Sequence, residues 1–383
     1  MRICLFLLGF ALLLTQGAYA SEEKSDEDKY EYGSIPKEYT ELVEVLPRDI
    51  STALPEGIYS DDPEEVGSAV AEMCSAEYLF SVLTSAVSLG IKDAAKLFLM
   101  LSGVLVISAV FSAFKSSVAS EAMSRAVSFA TSCALFGCVI SVQVGHFLRV
   151  DEFFERISLI MNGMIPVASV IYAMGGNLNT AAASSGTLYL FLSFCEETCR
   201  TSVLPVAALC TAFSLCSSFS SSINLHGLSS AIKKCYTFVL GLMMTVLLSV
   251  LSAQTVLSSS ADTISARAAK LVATNVIPIV GSSVGDTLRT LSSSVAYLKS
   301  VCGIGGIIFI LLLLLPTLIS LLLTRGAFML AVAVADLVGC ENESKLLSEL
   351  GSVYGVLVAV ISMCSVMFIF ALTIFVRCTV ALG

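Results

Sequence analysis

Long apolar runs separated by short polar segments set the layout of this chain. Crossing about 30 Å of hydrocarbon takes roughly 20 helical residues, and six stretches qualify: 97–114, 126–148, an interrupted one at 187–222, 235–257, 301–324 and 351–376. A seventh, 157–174, is apolar enough when judged alone. Its counterpart at 268–285 carries Lys270, Thr274 and Asn275 and is too polar to cross comfortably. Ahead of the spans, Val66, Val70, Met73, Leu83, Val87 and Ile91 recur at three- and four-residue steps within 64–96. That periodicity predicts an amphipathic helix, lying on the outer leaflet or packed on the protein's own membrane domain.

A constellation of unlike residues occurs twice. Ser141, Gln143, Asp151, Arg156, Pro166 and Pro205 are echoed by Ser252, Gln254, Asp262, Arg267, Pro278 and Pro316, five at an offset of 111 and one at 112. Self-similarity of this kind predicts an internal duplication. Both copies also hold an Asn followed by Ile-Pro and small residues: Asn162 with Ile165-Pro166-Val167-Ala168-Ser169, and Asn275 with Ile277-Pro278-Ile279-Val280-Gly281. Proline removes a backbone donor and frees a carbonyl, which in lipid has to be satisfied by protein or trapped water. The pattern therefore predicts a broken or re-entrant segment lining a cavity in each unit. Two spans per unit would make the copies parallel, and three would invert the second.

Composition places this layout in a membrane. The chain is 56% hydrophobic and 13% charged, against about a quarter charged for soluble domains. Arg2, an apolar run over 3–14 and Ala18-Tyr19-Ala20 match a cleaved secretory signal at 1–20, too short to span. Residues 21–77 then hold 17 acids against 4 bases, although the whole chain is only −9. Such an exported arm is either a solvated tail or a docking surface for a basic partner. Lys and Arg fall almost evenly on the two sides of a six-span layout, with Lys233 and Lys234 in an inner loop, so they leave the orientation open.

Candidate chemistry is sparse. No nucleophile elbow, phosphate loop, dinucleotide fingerprint or zinc spacing is present, and His146 and His226 stand 80 residues apart, so no catalytic residue, metal ligand or cofactor is assigned. Of the 13 cysteines, Cys133, Cys138, Cys210 and Cys364 lie in apolar runs and read as packing residues. Gly303-Ile304-Gly305-Gly306 reads as a site of close helix packing. Glu196, Glu197 and Arg200, inside an apolar stretch ahead of Pro205, must face protein or water, or mark a junction of two shorter helices. The repeated polar set divides into two groups. Ser141, Gln143, Asn162, Pro166, Ser252, Gln254, Asn275, Pro278 and Gly281 would glue helices together or line a conduit, with Gln143 and Gln254 bonding across helices. Asp151 with Arg156, and Asp262 with Arg267, would form ion pairs at the membrane surface.

The segment 262–270, then Asn275-Val276-Ile277-Pro278-Ile279-Val280-Gly281, Asp286-Thr287, Leu298-Lys299 and a Gly-rich span ending at Pro316, resembles the stage III sporulation protein AE family of endospore-forming bacteria. Leu54-Pro55-Glu56-Gly57-Ile58, Ile165-Pro166, Gly175-Gly176 and Ser252-Ala253-Gln254 agree with that family in order and spacing. The resemblance implies a mother-cell membrane protein of the sporulation A-operon complex, a channel similar to a secretion apparatus that links mother cell and forespore and supports late forespore gene expression. It implies as partners the other membrane proteins of that complex, its ATPase and a forespore membrane protein across the intermembrane space, with no nucleic acid. With the resemblance, three functions stay open: a non-enzymatic core subunit of that complex, as the resemblance implies, an autonomous secondary transporter, or a purely structural scaffold. The expected architecture is all-α and polytopic, with 6 or 7 spans. After the signal come the acidic arm (21–63), the amphipathic helix (64–96), a first span with its loop (97–125), repeat units at 126–234 and 235–350, and a last span (351–383).

Overall fold

The computed structural model describes residues 54–60, 62–118, 121–174, 189–219, 227–246, 249 and 281–377, and every regular element among them is helical. A 3₁₀ turn (Glu56–Tyr59) precedes α1 (Pro63–Met73), α2 (Ala76–Val118), α3 (Glu121–Met174), α4 (Tyr189–Phe219), α5 (residues 227–246), α6 (Gly281–Leu337) and α7 (Glu341–Arg377). Five of these are long and apolar enough to cross a membrane, within Ala76–Val110, Phe129–Met164, Leu192–Ser217, Ser300–Leu337 and Glu341–Thr373. The expected span at 235–257 is described only as far as 246, apart from residue 249. The signal segment and most of the acidic arm lie outside the described residues, as do Ser252, Gln254, Asp262, Arg267, Asn275 and Pro278.

Local sequence chemistry explains where the first elements start and stop. Pro55 opens the 3₁₀ turn, in which the Ile58 amide donates to the Pro55 carbonyl at 3.1 Å. Asp62 caps α1 by accepting from the Glu64 amide at 3.0 Å, with Pro63 at the first helical position and Glu64 and Glu65 facing the positive end of the helix dipole. Val66, Ala69, Val70 and Met73 form its buried face together with Leu54 and Ile58. The single amphipathic helix expected over 64–96 is divided. Cys74 ends α1, and the Ser75 hydroxyl accepts from the Tyr78 amide at 3.2 Å to start α2. From there α2 runs without interruption into the first span, burying Ala94, Leu97, Leu101 and Leu105. Phe80, Leu89, Leu99 and Ile107 point outward on the same helix, an apolar surface that suits lipid and not water.

The prolines do not break their helices. α3 continues through Ile165-Pro166 to Met174, which corrects the expectation of a broken or re-entrant segment there; the second Ile-Pro segment is outside the described residues. α4 likewise passes Pro205 as one helix, and α6 passes Pro316. An internal proline removes one hydrogen bond, and neighbouring helices hold the chain on course when packing continues on both sides. On α3 it does. Val139, Gln143, His146, Val150, Phe153, Ile157, Ile160, Met164, Val167 and Ile171 are all buried, alternating steps of four and three from before Pro166 to beyond it.

α6 and α7 form the centre, with 72% and 67% of their most apolar windows buried against 28–33% for the other three spans. The turn between them needs Gly339, whose φ of +75° is the left-handed value that closes a helix. The Cys340 amide then donates to the Ala335 carbonyl at 2.9 Å. Small residues set the spacing at the core. A methyl group at Gly306 would stand 3.0 Å from Met164 Cε and 3.1 Å from Leu372 Cδ1.

Gly306→Val should destabilise the folded protein by about 1–3 kcal/mol, read as a lower Tm in detergent, and Met164→Ala should recover part of the loss by vacating the space. Burial pushes the Cys74 thiol up to about 11, so its thiolate fraction at pH 8 should be about 100-fold below that of an ordinary cysteine. Cys74 should accordingly react slowly with a maleimide in the native protein and at the ordinary rate after denaturation.

Candidate functional site

The buried stripe of α3 carries polar residues in two consecutive positions, and these anchor a polar seam that crosses the bundle. Gln143 is 4% exposed, and its Nε2 donates to Thr211 Oγ1 of α4 at 2.7 Å. Thr211 in turn donates to the Ala207 carbonyl of its own helix at 2.9 Å. One turn further along α3, His146 is 3% exposed, with Nδ1 3.0 Å from the Tyr354 hydroxyl of α7. The two rings meet edge to face at 5.4 Å, and Tyr354 also packs on Phe328. His146 Nε2 faces Ser320 Oγ at 3.4 Å and Thr324 Oγ1 at 3.5 Å, both on α6. Arg149 donates to Ser320 Oγ at 3.0 Å and reaches Asp93 of α2 at 3.6 Å. A continuous line of polar contacts thus joins α2, α3, α6 and α7 through one histidine.

A second polar junction ties α5 to α7. Lys233 Nζ lies 2.6 Å from Glu349 Oε2, with side chains 9% and 11% exposed. Ser229 donates to the same carboxylate at 3.2 Å, and Lys233 also reaches the Ser352 hydroxyl. The pair is nearly dry, so each charge depends on the other.

The residues singled out from sequence are distributed unevenly over this seam. Gln143 bonds across helices. Ser141 is exposed and returns its hydroxyl to the Cys138 carbonyl at 3.1 Å, within its own helix. Asn162 is exposed, its Nδ2 3.5 Å from Ser158 Oγ. Pro166 lies within α3, and Gly281 is the first residue of α6. The expected Asp151–Arg156 pairing is replaced by others: Asp151 meets Arg200 of α4 at 3.4 Å, and Arg156 meets Glu152 at 2.6 Å. The reason is helical geometry. Five residues of α-helix turn the chain about 140° past a full circle, whereas four bring side chains onto one face.

Sequence reasoning missed His146, Tyr354, Lys233 and Glu349 as partners. For His146 a signal existed, since it falls in the same three-and-four register as Val139, Val150 and Phe153. For Lys233 none did, because a base at the edge of an apolar run reads as a loop charge. Glu196, flagged from sequence as a charge inside a span, is 4% exposed on α4. Among the described residues no group of three His, Cys, Asp or Glu side chains is arranged to hold a metal ion.

Removing one partner of the Lys233–Glu349 pair should cost about 3–5 kcal/mol by leaving a buried charge. Lys233→Ala should lower the Tm of the protein in detergent far more than Lys233→Met combined with Glu349→Met.

A curated relative, the stage III sporulation protein AE of Bacillus subtilis (strain 168), is 23% identical over 225 residues, which cover 59% of this chain and 56% of the relative. The chain thus spans about half the length of the curated relative it matches. No solved structure matches it. The family model described as Stage III sporulation protein AE matches residues 68–379, which takes in all five helices long and apolar enough to cross a membrane and both polar junctions. On that match the chain belongs to the stage III sporulation protein AE family.

Proposed function

We propose that this protein is a non-enzymatic membrane subunit of the sporulation A-operon complex, placed in the mother-cell membrane facing the forespore. There it contributes to a secretion-like channel that sustains forespore development and late forespore gene expression. The observation that carries this reading is the family match extending over all five apolar helices. The site chemistry supports it. Gln143, His146, Arg149 and Lys233 are each engaged with a side chain of a neighbouring helix, the use of polar groups that fixes helix register in a bilayer. Its partners are the complex's ATPase, the other membrane proteins of the operon and a forespore membrane protein across the intermembrane space. The acidic stretch 21–77 faces that space on the exported side.

Liposomes carrying the purified full chain alone should show no gradient-driven flux of small solutes, and cells lacking the chain should engulf forespores that fail to switch on late gene expression. Flux carried by the isolated chain would overturn the subunit reading in favour of an autonomous transporter.

A further inference from the structure

The α3–α4 interface holds a carboxylate that the packing leaves incomplete. Glu196 is 4% exposed, and its Oε1 is out of contact with solvent and has no hydrogen-bond partner. It lies within the span Leu192–Ser217. A small cleft, with about 10 Å³ of space for a water-sized sphere, opens onto it. Ser158 and Asn162 of α3 and Ser193 and Glu196 of α4 supply its polar wall, and Met161 and Phe368 supply apolar wall. The Ser158 hydroxyl stands beside the carboxylate.

A lone carboxylate in a low-dielectric interior requires a counter-charge or a proton. The base one turn along α4 is already engaged, since Arg200 pairs with Asp151 at 3.4 Å, and Arg156 of α3 is taken by Glu152 at 2.6 Å. Glu197, the next residue of α4, is exposed, is not part of the cleft lining, and accepts from the Thr201 hydroxyl at 3.0 Å. The unsatisfied group therefore faces a space lined by two hydroxyls and an amide. These are hard oxygen donors, suited to alkali and alkaline-earth cations and not to soft metals. A single carboxylate balances a single positive charge, whereas divalent sites gather more acidic ligands and waters.

We propose that the cleft at Glu196 binds a monovalent alkali cation, held by the Glu196 carboxylate with the hydroxyls of Ser158 and Ser193 and the amide oxygen of Asn162. Occupancy completes the α3–α4 interface by neutralising the buried charge. This site stands whether or not the channel-subunit reading does.

The test uses the purified full chain in detergent, with Tm followed in sodium or potassium chloride against choline chloride at fixed ionic strength and pH. In the wild type, Tm should rise with alkali concentration and then climb as its logarithm above half-saturation, the signature of a ligand bound only by the folded state. Glu196→Gln should abolish the difference between alkali and choline and should raise Tm in choline, because the uncompensated charge is gone. Ser158→Ala should keep the fold and move half-saturation to about tenfold higher alkali. Equal Tm in alkali and choline for the wild type, with a rise only on acidification, would mean that the carboxylate takes a proton alone and would overturn the proposal. So would an alkali response in Glu196→Gln equal to that of the wild type. If Glu196→Gln does not fold, Ser158→Ala decides, and an unchanged half-saturation sinks the site.

Discussion

The seven-residue repeat of buried positions on α3 is the constraint on which the rest of the bundle depends. In lipid, burying an apolar side chain against another helix gains little over leaving it in acyl chains, so helix association relies on shape and on polar contacts. From Val139 to Ile171 the stripe supplies the shape, and its two polar members, Gln143 and His146, supply the contacts to α4, α6 and α7. Apolar packing alone would permit α3 to slide or rotate by one position. A hydrogen bond from Gln143 to Thr211 does not tolerate that shift, and neither does a histidine set among Tyr354, Ser320 and Thr324.

Much of the helical layout was legible in the sequence, and the reasons for the misses are specific. Runs of apolar residues located five spans, because hydropathy over about 20 residues is a property of the segment itself. Helix continuity was misjudged at Pro166, where the local rule that proline ends a helix yields to packing on both sides. The junction at Cys74 and Ser75 was missed because a serine cap inside an apolar-periodic segment leaves the period intact. Pairing was harder still. Asp151 and Arg156 are near in sequence, yet their partners are set by rotation about the helix and by which neighbour lies alongside, as the contact with Arg200 shows. The Lys233–Glu349 bond joins residues 116 positions apart, a proximity that a single sequence does not encode.

Polar groups inside the bundle differ in how fully they are satisfied, and this difference separates their roles. His146 and Lys233 each reach two or more partners, so they act as fasteners. Glu196 keeps a free oxygen beside a cleft, so it is the place where the interior meets something from outside the chain. Gln143 lies between the two cases, with its amide nitrogen bonded and its Oε1 unpartnered.

The length of α3 has a mechanical meaning. Its 54 residues give a rod of about 80 Å at 1.5 Å per residue, against roughly 45 Å for a bilayer with its headgroups. Part of α3 must therefore extend beyond the bilayer, and the stiffness of a continuous helix makes that part a lever. A pull or torque applied there by a neighbouring molecule is delivered to His146 and Gln143 inside the membrane without any joint to absorb it.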